Sequence, residues 1–267
     1  MTEGSAGLMR HMGMRSATAL VVANVIGAGV FTTTGFQAAD LGHPGIILLL
    51  WLLGGVLAYC GALCFAELGA AMPHAGAEYV YLRETYGRPF GYMSAFVSLL
   101  AGFSAPIAAA VKSLIGYLNA YFPALPGQQL LLGSLTVADV AAVAVVWLLV
   151  AIQLRGRNGG VRFTDAVTAL KVGGIVGIIV AAAAWGRGDL GHLTEVAAVY
   201  SDSTRGDVLT AMATSLIFVM FCYSGWNAAA YVASEIVEPQ QTLPRALLTG
   251  TGIVTVLYLL LNVVYFY

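Results

Sequence analysis

Long apolar runs separated by short polar stretches recur along the whole chain. Seven are long enough to cross a hydrocarbon core as helix, which takes about 20 residues. The pattern predicts segments from about Ser16 to Gln37, Gly45 to Met72, Pro89 to Leu118, Val137 to Leu154, Phe163 to Trp185 and Val208 to Ile236. A seventh starts after Pro244 and is still apolar at Tyr267. Pro73 ends the second segment, and an amphipathic stretch from Ala77 to Tyr86 leads into the third, where Pro106 predicts a kink. The stretch from Gly186 to Gly206 reads as a polar, exposed loop. The fold class expected is an all-α polytopic membrane protein.

Two of the segments are interrupted where a spanning helix should be continuous. The first carries Gly27-Ala28-Gly29 near its centre, and the sixth carries Tyr223-Ser224-Gly225 before resuming at Trp226. An interrupted helix leaves N–H and C=O groups without partners, which hydrocarbon does not tolerate unless they line a protein or water-filled cavity. Discontinuous helices are where transporters commonly bind substrate. The freed N–H groups opening the outer half of segment 1 suit a carboxylate, and the carbonyls ending the outer half of segment 6 suit an ammonium. Together they fit a zwitterionic α-amino acid. Against this, glycines in a membrane helix also serve close packing. Phe221 and Trp226 are candidate aromatic gates, with lipid-facing or core packing as the alternative.

The two breaks occupy corresponding places, each followed by a long apolar segment. A unit of five segments puts an odd number of crossings between them, so the repeats are expected to be inverted in the membrane. Within a single transmembrane domain, 1–267, the first repeat is expected over 16–185 and the start of the second over 208–267.

Composition agrees with the pattern. Hydrophobic residues make up 59% of the chain and charged residues 9%, with a mean hydropathy of +0.84. Ordinary soluble domains carry roughly 25% charged residues. The net charge of −1 gives no reason to expect nucleic-acid binding. The placement of arginines is more informative than the total. With the N-terminus inside, Arg10, Arg15, Arg83, Arg88, Arg155, Arg157, Arg162 and Arg245 fall on the cytoplasmic side and only Arg187 and Arg205 outside. A signal peptide is a poor reading of the first segment, because its centre holds a helix break and further spans follow it.

Lys171 is the sharpest single-residue signal. It lies about nine residues inside segment 5, roughly 13 Å deep, with no acid beside it in sequence. An ammonium at that depth costs about 2.5–3.5 kcal/mol on insertion scales, so a cavity-facing, functional lysine is expected. It either exchanges a proton or stays charged, standing in for a bound sodium and bracing the broken first helix; snorkelling is the alternative. Lys112, near the end of segment 3, can snorkel and is given no role. Glu67, Glu78, Glu84, Glu235 and Glu238 with Arg15, Arg83 and Arg245 could form an inner gate of ion pairs, or be ordinary interfacial charges. Cys60 and Cys64 share a helix face but lack other soft ligands, so they and Cys222 read as packing residues, and no metal or cofactor is expected. No HExxH, GxSxG or P-loop pattern is present, which leaves hydrolase and ATP-driven readings without support.

Three stretches together resemble the amino acid–polyamine–organocation superfamily, most closely its L-type amino acid transporter group. They are VIGAGVF at Val25–Phe31, FAELGAAMPHAGAEYVYLRETYG at Phe65–Gly87, and CYSGWNAAAYVASEIVEPQQTLPRA at Cys222–Ala246. The resemblance implies a leucine-transporter-like inverted-repeat fold with discontinuous helices 1 and 6. It implies that Val25, Ala28 and Gly29 bind the substrate carboxylate. Phe221, Cys222 and Ser224 would bind the amine through backbone carbonyls, Phe221 would also cover the site, and Asn227 would stabilise the break. Lys171 falls where several members carry a lysine in place of a sodium site.

Family members usually have about twelve spans, so seven are expected here, with a missing C-terminal half or an accessory subunit as possible partners. The function implied is secondary active transport of neutral L-amino acids across the plasma (inner) membrane by alternating access, as exchanger or proton-coupled symporter. A permease for another organic cation or polyamine, or a truncated non-transporting subunit, is the alternative. A membrane enzyme is least favoured.

Overall fold

The computed structural model describes residues 10–122, 129–132, 135–154, 157–186, 188–201 and 204–267. Arg155 and Arg187 lie outside the described residues, as do the side chains of Arg157 and Arg162. Among the described residues seven helical stretches are long and apolar enough to span a membrane: Met14–Leu41, Pro44–Ala71, Arg88–Tyr121, Val137–Leu154, Ala166–Trp185, Arg205–Tyr223 and Pro239–Phe266. The protein is an all-α polytopic membrane protein. The described residues form two compact units, one from Met1–Tyr81 with Lys171–Tyr267 and one from Leu82–Leu170.

In the first unit, the opening span is two helices. Helix α1, Met14–Val25, stops at Ile26, whose backbone turns extended (φ −72°, ψ 99°). Helix α2, Gly29–Leu41, ends on Gly42 in the left-handed region (φ 57°), where a Cβ would strike Val199 and Ala197. Glycine is the residue that adopts this cap without strain. Helix α3, Pro44–Ala71, starts with proline at its first position and with the His43 imidazole accepting from the Ile46 N–H at 3.3 Å. The amphipathic helix α4 is Glu78–Tyr86.

The second unit holds α5, Arg88–Val97, a π-helical turn over Ser98–Ser104, and α6, Ala105–Tyr121. The kink expected at Pro106 is thus accompanied by a wider turn just before it, with Ser104 Oγ donating to the Leu99 carbonyl at 2.6 Å. An antiparallel pair, β1 Leu130–Leu132 and β2 Leu135–Thr136, precedes α7, Val137–Leu154. Lys112, given no role above, pairs with Asp139 at 3.0 Å. Helix α8, Arg157–Trp185, passes into the residues of the first unit at Lys171.

The stretch after α8 is not a plain loop. It contains a 3-10 turn at Leu190–Thr194 and the four-residue α9, Ala198–Ser201. Helix α10, Arg205–Tyr223, is opened by a reciprocal cap in which Thr204 and Asp207 satisfy each other's backbone N–H groups. After the second break the chain does not resume as a full half-helix. It makes only α11, Ala228–Tyr231, and a 3-10 turn at Ala233–Glu235. Helix α12, Pro239–Phe266, begins five residues before Pro244, which is accommodated inside it.

The buried core of this unit lies between α1, α3, α10 and α12, where small residues let backbones approach. A Cβ at Gly54 would collide with the Val219 side chain, and one at Gly250 would meet Val21 at 2.7 Å. Trp51, Tyr223 and Tyr258, all fully buried, pack pairwise in tilted or edge-on contacts with ring centroids 5.1–5.9 Å apart. The stretch before α1 is tied to the stretch after α11. The Met12 N–H donates to the Glu235 carbonyl and the Val237 N–H to the Met12 carbonyl, both at 3.0 Å.

Candidate functional site: two facing breaks

The first break spans Ile26 to Ala28, between α1 and α2. Its conformation follows from the sequence Ile-Gly-Ala-Gly: two glycines two residues apart weaken the helix, and the chain restarts at Gly29. The last carbonyls of α1 lose their helical partners, and other parts of the fold supply donors. Lys171 Nζ donates to the Ala23 carbonyl at 3.0 Å and to the Ile26 carbonyl at 2.8 Å. The Tyr258 hydroxyl, from the middle of α12, lies 2.9 Å from the Val25 carbonyl. Helix α2 leaves its first-turn N–H groups open, beyond the bond from Phe31 N–H to the Ala28 carbonyl. Gly27 and Ala28 are exposed beside them.

The second break is organised locally. Ser224 is extended (φ −60°, ψ 153°) and Gly225 is left-handed at φ +97°. The Phe221 carbonyl takes both the Ser224 N–H, at 3.1 Å, and the Ser224 hydroxyl, at 2.7 Å. The Cys222 carbonyl faces the Tyr258 hydroxyl at 3.3 Å. Trp226 lies edge-on to Phe65, with centroids 4.9 Å apart, and sits so close to Gly61 that a Cβ there would be 2.6 Å from its ring. It is a packed aromatic in this structure. Phe221 is 57% exposed, with its ring away from the core.

The two breaks touch. A Cβ at Gly29 would lie 2.8 Å from Cys222 Sγ, and one at Gly225 would lie 2.9 Å from the Asn24 carbonyl oxygen. Thr33 Oγ1 and Cys222 Sγ are 3.3 Å apart. Close approach favours glycine at both places, and at Gly225 the backbone angle does so as well. The arrangement brings N–H groups at the head of α2 next to carbonyls at the foot of α10, which is chemistry for a small ligand carrying both charges.

Val25, Ala28, Gly29, Cys222, Ser224 and Lys171 all gather around this junction. Asn227 sits just beyond it, where its amide donates to Glu78 and, at 3.3 Å, to the Tyr231 hydroxyl. Among the described residues no ion pair within 4.0 Å involves Glu78. Arg83 pairs with its neighbour Glu84 at 2.7 Å, and His11 lies 3.8 Å from Glu235. Around Glu78, outside the spans, burial and then the nearby carboxylate push the Tyr81 hydroxyl up to about 12. Burial also raises Tyr231, whose hydroxyl bonds to Glu78.

Tyr258 and Thr33 were missed by sequence reasoning. A tyrosine in mid-span, Tyr258, was the available signal for one. Thr33 gives none, since a threonine on a membrane helix usually bonds its own backbone.

Paired breaks of this kind, in a polytopic membrane protein, are the arrangement in which transporters commonly bind substrate. The sequence pattern of the amino acid permease family matches residues 12–267, and the chain belongs to that family. It is similar to the serine/threonine exchanger SteT of Bacillus subtilis (strain 168), with 31% identity over 96% of this chain and 54% of the relative. It is 28% identical to the large neutral amino acids transporter small subunit 2 of Rattus norvegicus, over 98% of this chain and 48% of the relative. It is 31% identical to the human b(0,+)-type amino acid transporter 1, over 97% and 51%. The chain spans about half the length of the curated relatives it matches. These relatives are transporters and exchangers, not enzymes.

Proposed function

We propose that the chain is the substrate-binding half of a secondary transporter for neutral α-amino acids, working by alternating access. The observation that carries this reading is the contact between the two breaks, Gly29 against Cys222 and Gly225 against Asn24. There, open amides face a substrate carboxylate and carbonyls face its ammonium. Two of the relatives are named for serine and threonine or for large neutral amino acids, which supports a neutral side chain. Lys171 serves as a fixed ammonium that braces the first break, its two carbonyl bonds taking the place of a coordinated cation. Exchange and proton-coupled symport both remain compatible with that geometry. The repeats are inverted, and the N-terminus and the loops rich in arginine face the cytoplasm of a plasma-membrane transporter.

The test is uptake of radiolabelled serine, threonine and leucine into liposomes containing the purified chain, with unlabelled lysine and putrescine as competitors. Saturable uptake that neutral amino acids compete for is expected. Competition by putrescine alone would favour the polyamine alternative, and no flux or binding would leave a non-transporting subunit. Gly29→Leu should abolish binding while insertion is unchanged, because its side chain must occupy the space of Cys222.

A further inference from the structure

Glu78 lies outside the junction described above, yet its geometry bears on it. It opens α4 after two consecutive residues with positive φ, Gly76 at 116° and Ala77 at 42°. For alanine, fully buried here, the left-handed region is strained, and such strain persists only where surrounding contacts hold it. Part of that hold is visible: the Gly76 N–H donates to the Tyr231 carbonyl at 3.1 Å. The turn therefore docks directly on the short helix that follows the second break.

The carboxylate it delivers sits in a set of three hydrogen bonds of consistent polarity, two of which end on it. One Asn227 N–H points to Glu78 Oε1 and the other to the Tyr231 oxygen, while the Tyr231 hydroxyl bonds to Glu78. An ionised carboxylate only accepts, so it dictates which half of the Asn227 amide faces it. The nitrogen must, and the Asn227 oxygen must then point to the other side of the amide. Glu78 Oε2 is buried and takes no hydrogen bond, and among the described residues no lysine, arginine or histidine nitrogen lies within 4.0 Å of this carboxylate. Nothing in this arrangement is a charge pair. Its information is orientation.

We propose that Glu78 is a positioning residue for the second break. By pinning the Asn227 amide, two residues past Gly225, it fixes that amide with its acceptor oxygen outward and so holds the break in the form that approaches α1. This inference rests on the transport reading for its functional consequence, but the positioning itself can be tested without transport.

The test exchanges the two partners. Asn227→Asp alone sets a second carboxylate against Glu78. Adding Glu78→Gln restores a donor–acceptor pair with reversed polarity and leaves an acceptor oxygen facing outward. Two readouts are taken on the full chain in a Cys60→Ala/Cys64→Ala background: the rate at which a maleimide modifies Cys222, and the half-saturation concentration for uptake of labelled serine. Asn227→Asp should raise both by about tenfold, the weight of one hydrogen bond to a charged group. The double variant should return both to within about twofold of the parent.

A double variant no better than Asn227→Asp, or an Asn227→Asp chain with unaltered Cys222 reactivity, overturns the proposal. If Asn227→Asp fails to accumulate in the membrane, recovery of folded protein in the double variant supports it, and failure of both overturns it. A parent chain that takes up no serine defeats the transport reading, whereas the thiol rates still decide the role of Glu78.

Discussion

The two breaks solve one problem in opposite ways. At the first, the carbonyls freed from α1 are met from a distance, by Lys171 on α8 and Tyr258 on α12. At the second, the chain mostly folds back on itself, so that Ser224 caps Phe221 and Gly225 turns left-handed, while Cys222 and Asn227 reach to other elements. A break built from distant donors is only as stable as the packing of three helices. A break built from neighbours survives local change but depends on its few special residues. The first is thus the place where a single distant substitution should do most damage.

Lys171→Ala should have the largest effect. It strands two carbonyls in a membrane interior, at about 1–3 kcal/mol for each unsatisfied group. Uptake or binding of labelled serine should fall by a factor of roughly ten to a hundred, while membrane insertion, checked by extraction and gel filtration, stays intact. Unchanged binding would mean that α1 holds its broken form without help. Tyr258→Phe should be milder and should weaken both breaks together. Its ring packing on Trp51 and Tyr223 is kept and only the hydroxyl is lost, for about 0.5–1.5 kcal/mol, or a twofold to tenfold loss of binding. An effect as large as that of Lys171→Ala would show that the second break is not self-sufficient.

The smallest effect is a control on the second break's surroundings. Tyr81, raised to about 12 from an ordinary value near 10, favours the folded state fully below pH 10 and loses that contribution as pH climbs towards 12. Tyrosinate absorbance should show a late-titrating component near pH 12 that Tyr81→Phe diminishes. Glu78→Gln should bring it earlier, since the neighbouring charge is then gone.

Much of this was readable from residue order alone. Glycines in a long apolar run announced the first break to within a residue or two, and the depth of Lys171 announced a buried partner. A brace on the broken first helix was one of the two roles read for it; which atoms it would meet could not be read, because its acceptors are peptide carbonyls, which carry no side-chain label. The same reason hid the partners of Tyr258, whose hydroxyl also meets peptide carbonyls, those of Val25 and Cys222. The stretch after Trp226 was expected to continue as helix, since Ala228-Ala229-Ala230 favours it. The structure gives a single turn there, with the Asn227 amide committed to Glu78 and the chain drawn off to pair with Met12. Glu78 itself looked like one interfacial acid among several, and only the folded turn at Gly76 and Ala77 singles it out.

Tyr258 carries one hydrogen on its oxygen, yet two carbonyls lie within reach, Val25 at 2.9 Å and Cys222 at 3.3 Å. It cannot serve both fully at once. One hydroxyl on α12 thus ties the carbonyl ends of both breaks to the same helix, so that losing it loosens the two together.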